Sequence, residues 1–168
     1  LPDTIYEALK EERRYHLKKI AAKFLEKRAY SYKELFDKLY KYENDCSIRH
    51  SVMHQLEELG LIDDDDYAKR CAYHYMHIKN CSIKEAKNKM VYTKGIRKSL
   101  AEDALMEYDT QERENLKYLI EHKYGRRIED FSDFKQLRKI RLSLYRLGFY
   151  IEDIDIALNE YRDEVEGE

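Results

Sequence analysis

Ser31-Tyr32-Lys33-Glu34, Ser82-Ile83-Lys84-Glu85 and Asp133-Phe134-Lys135-Gln136 stand 51 residues apart. Each opens with a capping oxygen, follows it with an apolar residue and a lysine, and closes on Glu or Gln. In such a box the first side chain accepts from a free N–H of the new helix, and the fourth reaches back to the cap's own N–H. One box is common. Three in register imply a chain built from a repeated helical unit, an architecture that makes gripping surfaces more often than reaction pockets.

Working outward, the composition agrees. One proline and five glycines in 168 residues disfavour all-β folds, which need turn residues every 8 to 12 positions. The class expected is all-α. Apolar residues at 43% suffice for a core. No run of about 18 apolar residues exists to span a membrane, and Leu1-Pro2-Asp3 lacks a hydrophobic signal segment. It also lacks an initiating methionine, which points to a trimmed upstream portion. Cys46, Cys71 and Cys81 are sparse and odd in number, so free thiols in a cytoplasmic setting are expected.

The boxes divide the chain into three units of three helices, at residues 1–62, 63–108 and 109–168. Unit one has a long helix over about residues 4–27, a second carrying Tyr32, Leu35, Phe36 and Leu39, and a third carrying Ile48, Val52, Met53 and Leu56, stopped by Gly60. Unit two starts at the acidic run Asp63 to Asp66 and turns at Lys94-Gly95-Ile96. Unit three starts near Asp109, carries a charged loop over 124–130 and turns at Gly148-Phe149. Gly95-Ile96 with Ala104-Leu105 matches Gly148-Phe149 with Ala157-Leu158 at an offset of 53. Units this small need neighbours, so an elongated, curved array is expected.

Net charge is only −2, which argues against strong non-specific nucleic-acid binding, yet the charges are sorted. Residues 57–66 hold six acids and no base, while 84–98 hold six bases against Glu85. Residues 135–146 hold five bases and no acid, and the tail from 152 holds eight acids against Arg162.

The string Leu59-Gly60-Leu61-Ile62-Asp63-Asp64-Asp65-Asp66-Tyr67-Ala68 resembles the signature of the RecX family of regulatory proteins. Arg28-Ala29-Tyr30-Ser31 with Glu34-Leu35 and Lys38-Leu39 resembles its first repeat, Lys94-Gly95-Ile96 its internal turn, and Leu147-Gly148-Phe149 with Ile154 and Ala157-Leu158 its terminal repeat. The likeness runs from about residue 14 to 161. It implies tandem three-helix repeats and a modulator, mostly an inhibitor, of the RecA recombinase. Such a protein lies along the groove of the RecA filament, touching single-stranded DNA through it, and acts on DNA repair, recombination and the SOS response. Other classes fitting the residues are an autonomous DNA-binding helical module and a generic helical adaptor.

The partner surface expected from the residues is basic. On a helix from 135, Lys135, Arg138, Lys139 and Arg146 fall within a stripe of roughly 100°, opposite Phe134, Leu137, Ile140, Leu144 and Leu147. Lys84, Lys87, Lys94 and Arg97 form a second, less regular set. Asp63, Asp64, Asp65 and Asp66 read as a helix cap that leaves a negative knob. Cys71, His74, His77 and Cys81 spread over about 15 Å of helix axis and cannot together surround a tetrahedral zinc ion. Most of the sixteen tyrosines read as half-buried packing, and none is expected to stack on a base. With no glycine-rich phosphate loop, nucleophile elbow or paired His/Glu zinc motif, the chain is expected to be no enzyme and to need no cofactor, metal or small-molecule substrate.

Overall fold

The structure, a computed structural model, describes residues 2–167 and is all-α. The α-helices are α1 (Pro2–Leu25), α2 (Tyr32–Leu39), α3 (Cys46–Glu58), α4 (Asp64–Tyr73), α5 (Ile83–Asn88), α6 (Lys98–Leu105), α7 (Asp109–Leu119), α8 (Phe134–Arg146) and α9 (Ile151–Glu166). Helices α4, α5 and α7 each run into one π-helical turn, at His74–Ile78, Lys89–Thr93 and Ile120–Tyr124. A 3₁₀ turn at Gly125–Arg127 begins the loop before α8. No described helix is long and apolar enough to cross a membrane.

The helices start where capping oxygens stand. Ser31 Oγ accepts from Glu34 N at 3.1 Å while the Glu34 carboxylate accepts from Ser31 N at 3.2 Å, a complete box. Ser82 Oγ accepts from Glu85 N at 3.1 Å, and Asp133 Oδ1 from Lys135 N at 3.0 Å and Gln136 N at 3.2 Å. The reciprocal arm expected of the fourth residue forms only in the first box. Glu85 turns instead to Lys89 at 2.8 Å, and the Gln136 amide donates to the carbonyl of Arg127. A long side chain at this position has several partners in reach, and the nearest cation or carbonyl wins.

Buried apolar side chains fall into three clusters. One spans Leu17 to Ile62 on α1–α3, with Leu35, Leu39, Ile48, Val52 and Met53 wholly inaccessible. The second spans Tyr67 to Leu105 on α4–α6 and includes Cys71, Met76, Cys81 and Met90. The third spans Leu116 to Leu158 on α7–α9, centred on Leu144 and Ile154. Gly60, at φ +69°, closes α3: Leu61 N donates to Leu56 O at 2.9 Å in the left-handed turn that ends many helices.

Candidate functional site

The clusters are apolar, but polar contacts join each to the next, and they occur twice in the same form. Ser31 Oγ, already accepting from its own helix, donates its proton to the carbonyl of Lys94 at 2.5 Å. Ser82 Oγ does the same to the carbonyl of Leu147 at 2.5 Å. Both serines are fully buried. Beside each, the first N–H of the helix is taken by a carboxylate from the next cluster: Tyr32 N by Asp64 at 2.8 Å, Ile83 N by Glu112 at 2.7 Å.

Two glycines let the backbones meet. Gly95 (φ +65°) and Gly148 (φ +100°) lie against the lysine at the third position of each box. A Cβ on Gly95 would stand 3.0 Å from Lys33 Cβ; one on Gly148 would stand 2.6 Å from Ser82 Oγ and 3.0 Å from Lys84 Cβ. A third polar contact reinforces each joint. Tyr67 Oη donates to Glu34 at 3.2 Å in the first. In the second, the buried Asn115 amide donates to Met76 O at 2.8 Å and Cys81 O at 2.9 Å.

One joint takes up a single member of the acidic knob, and local contacts occupy the other three. Asp63 caps α4 by accepting from Asp66 N at 3.0 Å, and Asp64 serves the first joint. Asp65 pairs with Lys69 at 2.6 Å and Asp66 with Arg70 at 2.9 Å. Burial pushes the carboxyls of Asp64 and Glu112 above the usual range, against the pull of the N–H each accepts.

The basic residues separate into three places. Lys94 and Arg97 belong to the first joint, Lys94 through its carbonyl and Arg97 through the attraction of its charge for Asp64. Lys84, Lys87 and Arg146 meet at the second joint, where two grooves of about 350 and 530 Å³ flank Lys84. Lys87 is tied to Glu102 at 3.4 Å. On α8, Lys135, Arg138, Lys139 and Arg146 are all exposed on one side, with Ile140 and Leu144 buried on the other. None of these four, nor Lys84, has a salt-bridge partner among the described residues. Arg141, outside the stripe, is held by Asp155 through bonds of 2.6 and 2.7 Å.

Two placements differ from expectation: nine of the sixteen tyrosines, Tyr92 foremost, are exposed rather than packed, and so is one apolar residue of α8. Phe134, assigned to the buried side of α8, is 81% exposed. The backbone N–H of its counterparts Tyr32 and Ile83 is taken by a carboxylate of the next cluster, whereas Phe134 N donates locally to Ser132 O at 3.0 Å. Its ring opens instead on a cavity of about 560 Å³ between α8 and α9, shared with Phe131, Arg138 and Arg162. Cys71 and Cys81 lie in the second core while His74 and His77 face solvent, and the described residues place no three His, Cys, Asp or Glu side chains for a metal. Sequence reasoning passed over the second role of Ser31 and Ser82, the carboxylates of Asp64 and Glu112, and Tyr92 beside Lys84. Only the recurrence of the boxes could have signalled the first two.

The chain is thus an all-helical protein whose three apolar clusters are joined by recurring hydrogen bonds, with a basic ridge and shallow grooves among its exposed features. No family model matches the chain. It is 32% identical over 151 residues to the Regulatory protein RecX of Bacillus pumilus (strain SAFR-032), covering 88% of this chain and 56% of that protein. To the Regulatory protein RecX of Enterococcus faecalis (strain ATCC 700802 / V583) it is 28% identical over 159 residues, covering 94% and 59%. The chain thus spans somewhat over half the length of these curated relatives. Among solved structures, RecX from Lactobacillus salivarius superimposes with a TM-score of 0.79 at 28% identity, over 89% of this chain and 97% of that one. A second regulatory protein RecX gives 0.83 at 16% identity over 95% and 78%, a likeness of fold alone. In sequence and in fold the likeness is to the RecX family of regulatory proteins, and it supports a protein of that family.

Proposed function

We propose that the chain regulates the RecA recombinase by lodging along its single-stranded-DNA filament in the cytoplasm. There it lowers ATP hydrolysis, strand exchange and coprotease activity, and so acts in DNA repair, recombination and the SOS response. Residues 1–62, 63–108 and 109–168 act as three units joined by polar clips, and the protein works by binding rather than by catalysis. The observation that carries this reading is the exposed ridge of Lys135, Arg138, Lys139 and Arg146. Its four cations have no salt-bridge partner among the described residues, and at Arg146 it meets Lys84 across the second joint. Unpaired cations held on a rigid scaffold suit a large anionic polymer or an acidic protein surface, to which they give steering and register. Lys84 and Lys87 at the second joint and Lys94 and Arg97 at the first offer further basic contacts to the same partner, with Asp63 to Asp66 serving as cap and clip.

The test is DNA-dependent ATP hydrolysis by RecA titrated with the protein. Inhibition is expected, and it should weaken when Lys135, Arg138, Lys139 and Arg146 are together changed to Glu. Hydrolysis that stays unchanged at saturating protein would reject the reading. Tight DNA binding with no effect on RecA would favour an autonomous DNA-binding module instead.

A further inference from the structure

We infer that the groove between the end of α5 and the end of α8 seats a single nucleic-acid strand directly. In it Tyr92 stacks on a base, and Lys84 and Arg146 hold the flanking phosphates. The inference deepens the filament reading above, because such a strand is what the filament carries.

The groove is about 350 Å³, floored by Leu147 and Gly148. The lack of a side chain on Gly148 brings Lys84 to its rim. Tyr92, in the π-helical turn Lys89–Thr93, is 84% exposed, more than any other large apolar or aromatic side chain among the described residues. The acid on the groove wall, Glu85, is paired with Lys89 at 2.8 Å, and neither Lys84 nor Arg146 has a salt-bridge partner among the described residues. Two other acids, Asp109 and Glu112, line the adjoining groove, where Glu112 is engaged with Ile83 N. Beyond Lys84 the second groove presents Tyr145 and Tyr150, 52% and 67% exposed. A strand crossing Lys84 therefore meets rings on both sides.

Charge alone would suit an acidic peptide equally, but carboxylates leave three tyrosine rings in water. A single strand satisfies both features, since every base has a face for an aromatic ring and every linkage an anion for a cation. The first joint does not share this character: Lys33, the counterpart of Lys84, is tied to Asp37 at 2.6 Å.

The test is fluorescence anisotropy of a labelled single-stranded oligothymidylate with the full chain and no recombinase, at several salt concentrations. Tyr92→Ala should weaken binding about tenfold with little change in salt slope, and Tyr92→Phe should restore it. Lys84→Glu or Arg146→Glu should weaken binding and flatten the salt slope by about one. Tyr6→Ala, an exposed ring on α1, should do neither. Binding indifferent to Tyr92→Ala overturns the seat, and so does displacement by polyglutamate, which would reveal a peptide site. Should Tyr92→Ala bind the oligonucleotide normally while the parent still inhibits RecA, the seat fails and the filament reading stands. Should the parent bind the strand without inhibiting RecA, the reverse holds.

Discussion

The hydroxyl of Ser82 donates to the carbonyl of Leu147, 65 residues away, while accepting from Glu85 N in its own helix. Ser31 has the same double engagement with Lys94 and Glu34. A hydroxyl is donor and acceptor at once; an ionised carboxylate only accepts. Ser and Asp are near-equal as helix caps, yet only Ser can clip one unit to the next. Asp133, at the third box, caps its helix and makes no such bond.

Ser82→Asp should therefore be costly although it preserves a cap, because a buried carboxylate would face a carbonyl. We expect a loss of more than about 2 kcal/mol, with Ser82→Ala losing a similar amount through cap and clip together. Asp133→Ser should stay within about 0.5 kcal/mol of the parent. Urea midpoints give all three, and equal effects of Ser82→Asp and Asp133→Ser would refute the double role.

Glycine positions offer a paired test. Gly60 and Gly148 both have positive φ, but a Cβ on Gly60 would meet nothing within 4 Å whereas one on Gly148 would collide with Ser82 Oγ. Gly60→Ala should lose about 1 kcal/mol, the backbone cost alone. Gly148→Ala should lose clearly more, about 2–4 kcal/mol, by adding overpacking at the joint. Thermal melts that rank the two the other way would count against the joint geometry.

The raised carboxyls of Asp64 and Glu112 set the sign of a pH effect. A carboxyl whose folded pKa exceeds its unfolded value contributes stability below the unfolded pKa, and that contribution fades as pH rises through the folded one. Asp64→Asn and Glu112→Gln keep an oxygen for the N–H and cannot charge. They should exceed the parent in stability at about pH 7 and lose that advantage near pH 4. Glu43 behaves oppositely: the bidentate hydrogen bonds from Arg13 hold its carboxyl below the usual range, so its contribution disappears on acidification. Denaturation of each variant at both pH values separates the two signs, and a gain that persists unchanged at acid pH would contradict the assignment.

Thiol reactivity should divide in the same structural way. Burial pushes the Cys81 thiol up to about 11 and raises that of Cys71, while Cys46 is exposed. Brief alkylation of the native protein at about pH 8 should label Cys46 and spare the other two, since the thiolate is the reactive form. Mass spectrometry reads the sites; equal labelling of all three in the folded protein would mean the second core is open.

Much of this was legible from residues alone. The boxes placed the starts of α2, α5 and α8, Asp63 capped α4 as its position required, and the basic stripe of α8 emerged on the exposed side. Each depends on neighbours within a turn or two of chain. Phe134 misled because the same helical period fits a residue facing a core and one at the helix's first turn that opens on a surface cavity. Glu85 and Gln136 departed from the reciprocal box because Lys89 and Arg127 offered closer partners.

What the sequence by itself determined was the class, the helix starts and the faces, since capping and periodicity are local interactions written in consecutive residues. The tertiary structure alone decided that a cap serine also serves as a clip and that Asp64 spends its charge on Tyr32 N. It decided, too, that Arg146 stands beside Lys84 and Tyr92. Those pairings span some 30 to 65 positions, and separation along the chain carries no information about proximity until the backbone has folded around glycines such as Gly148.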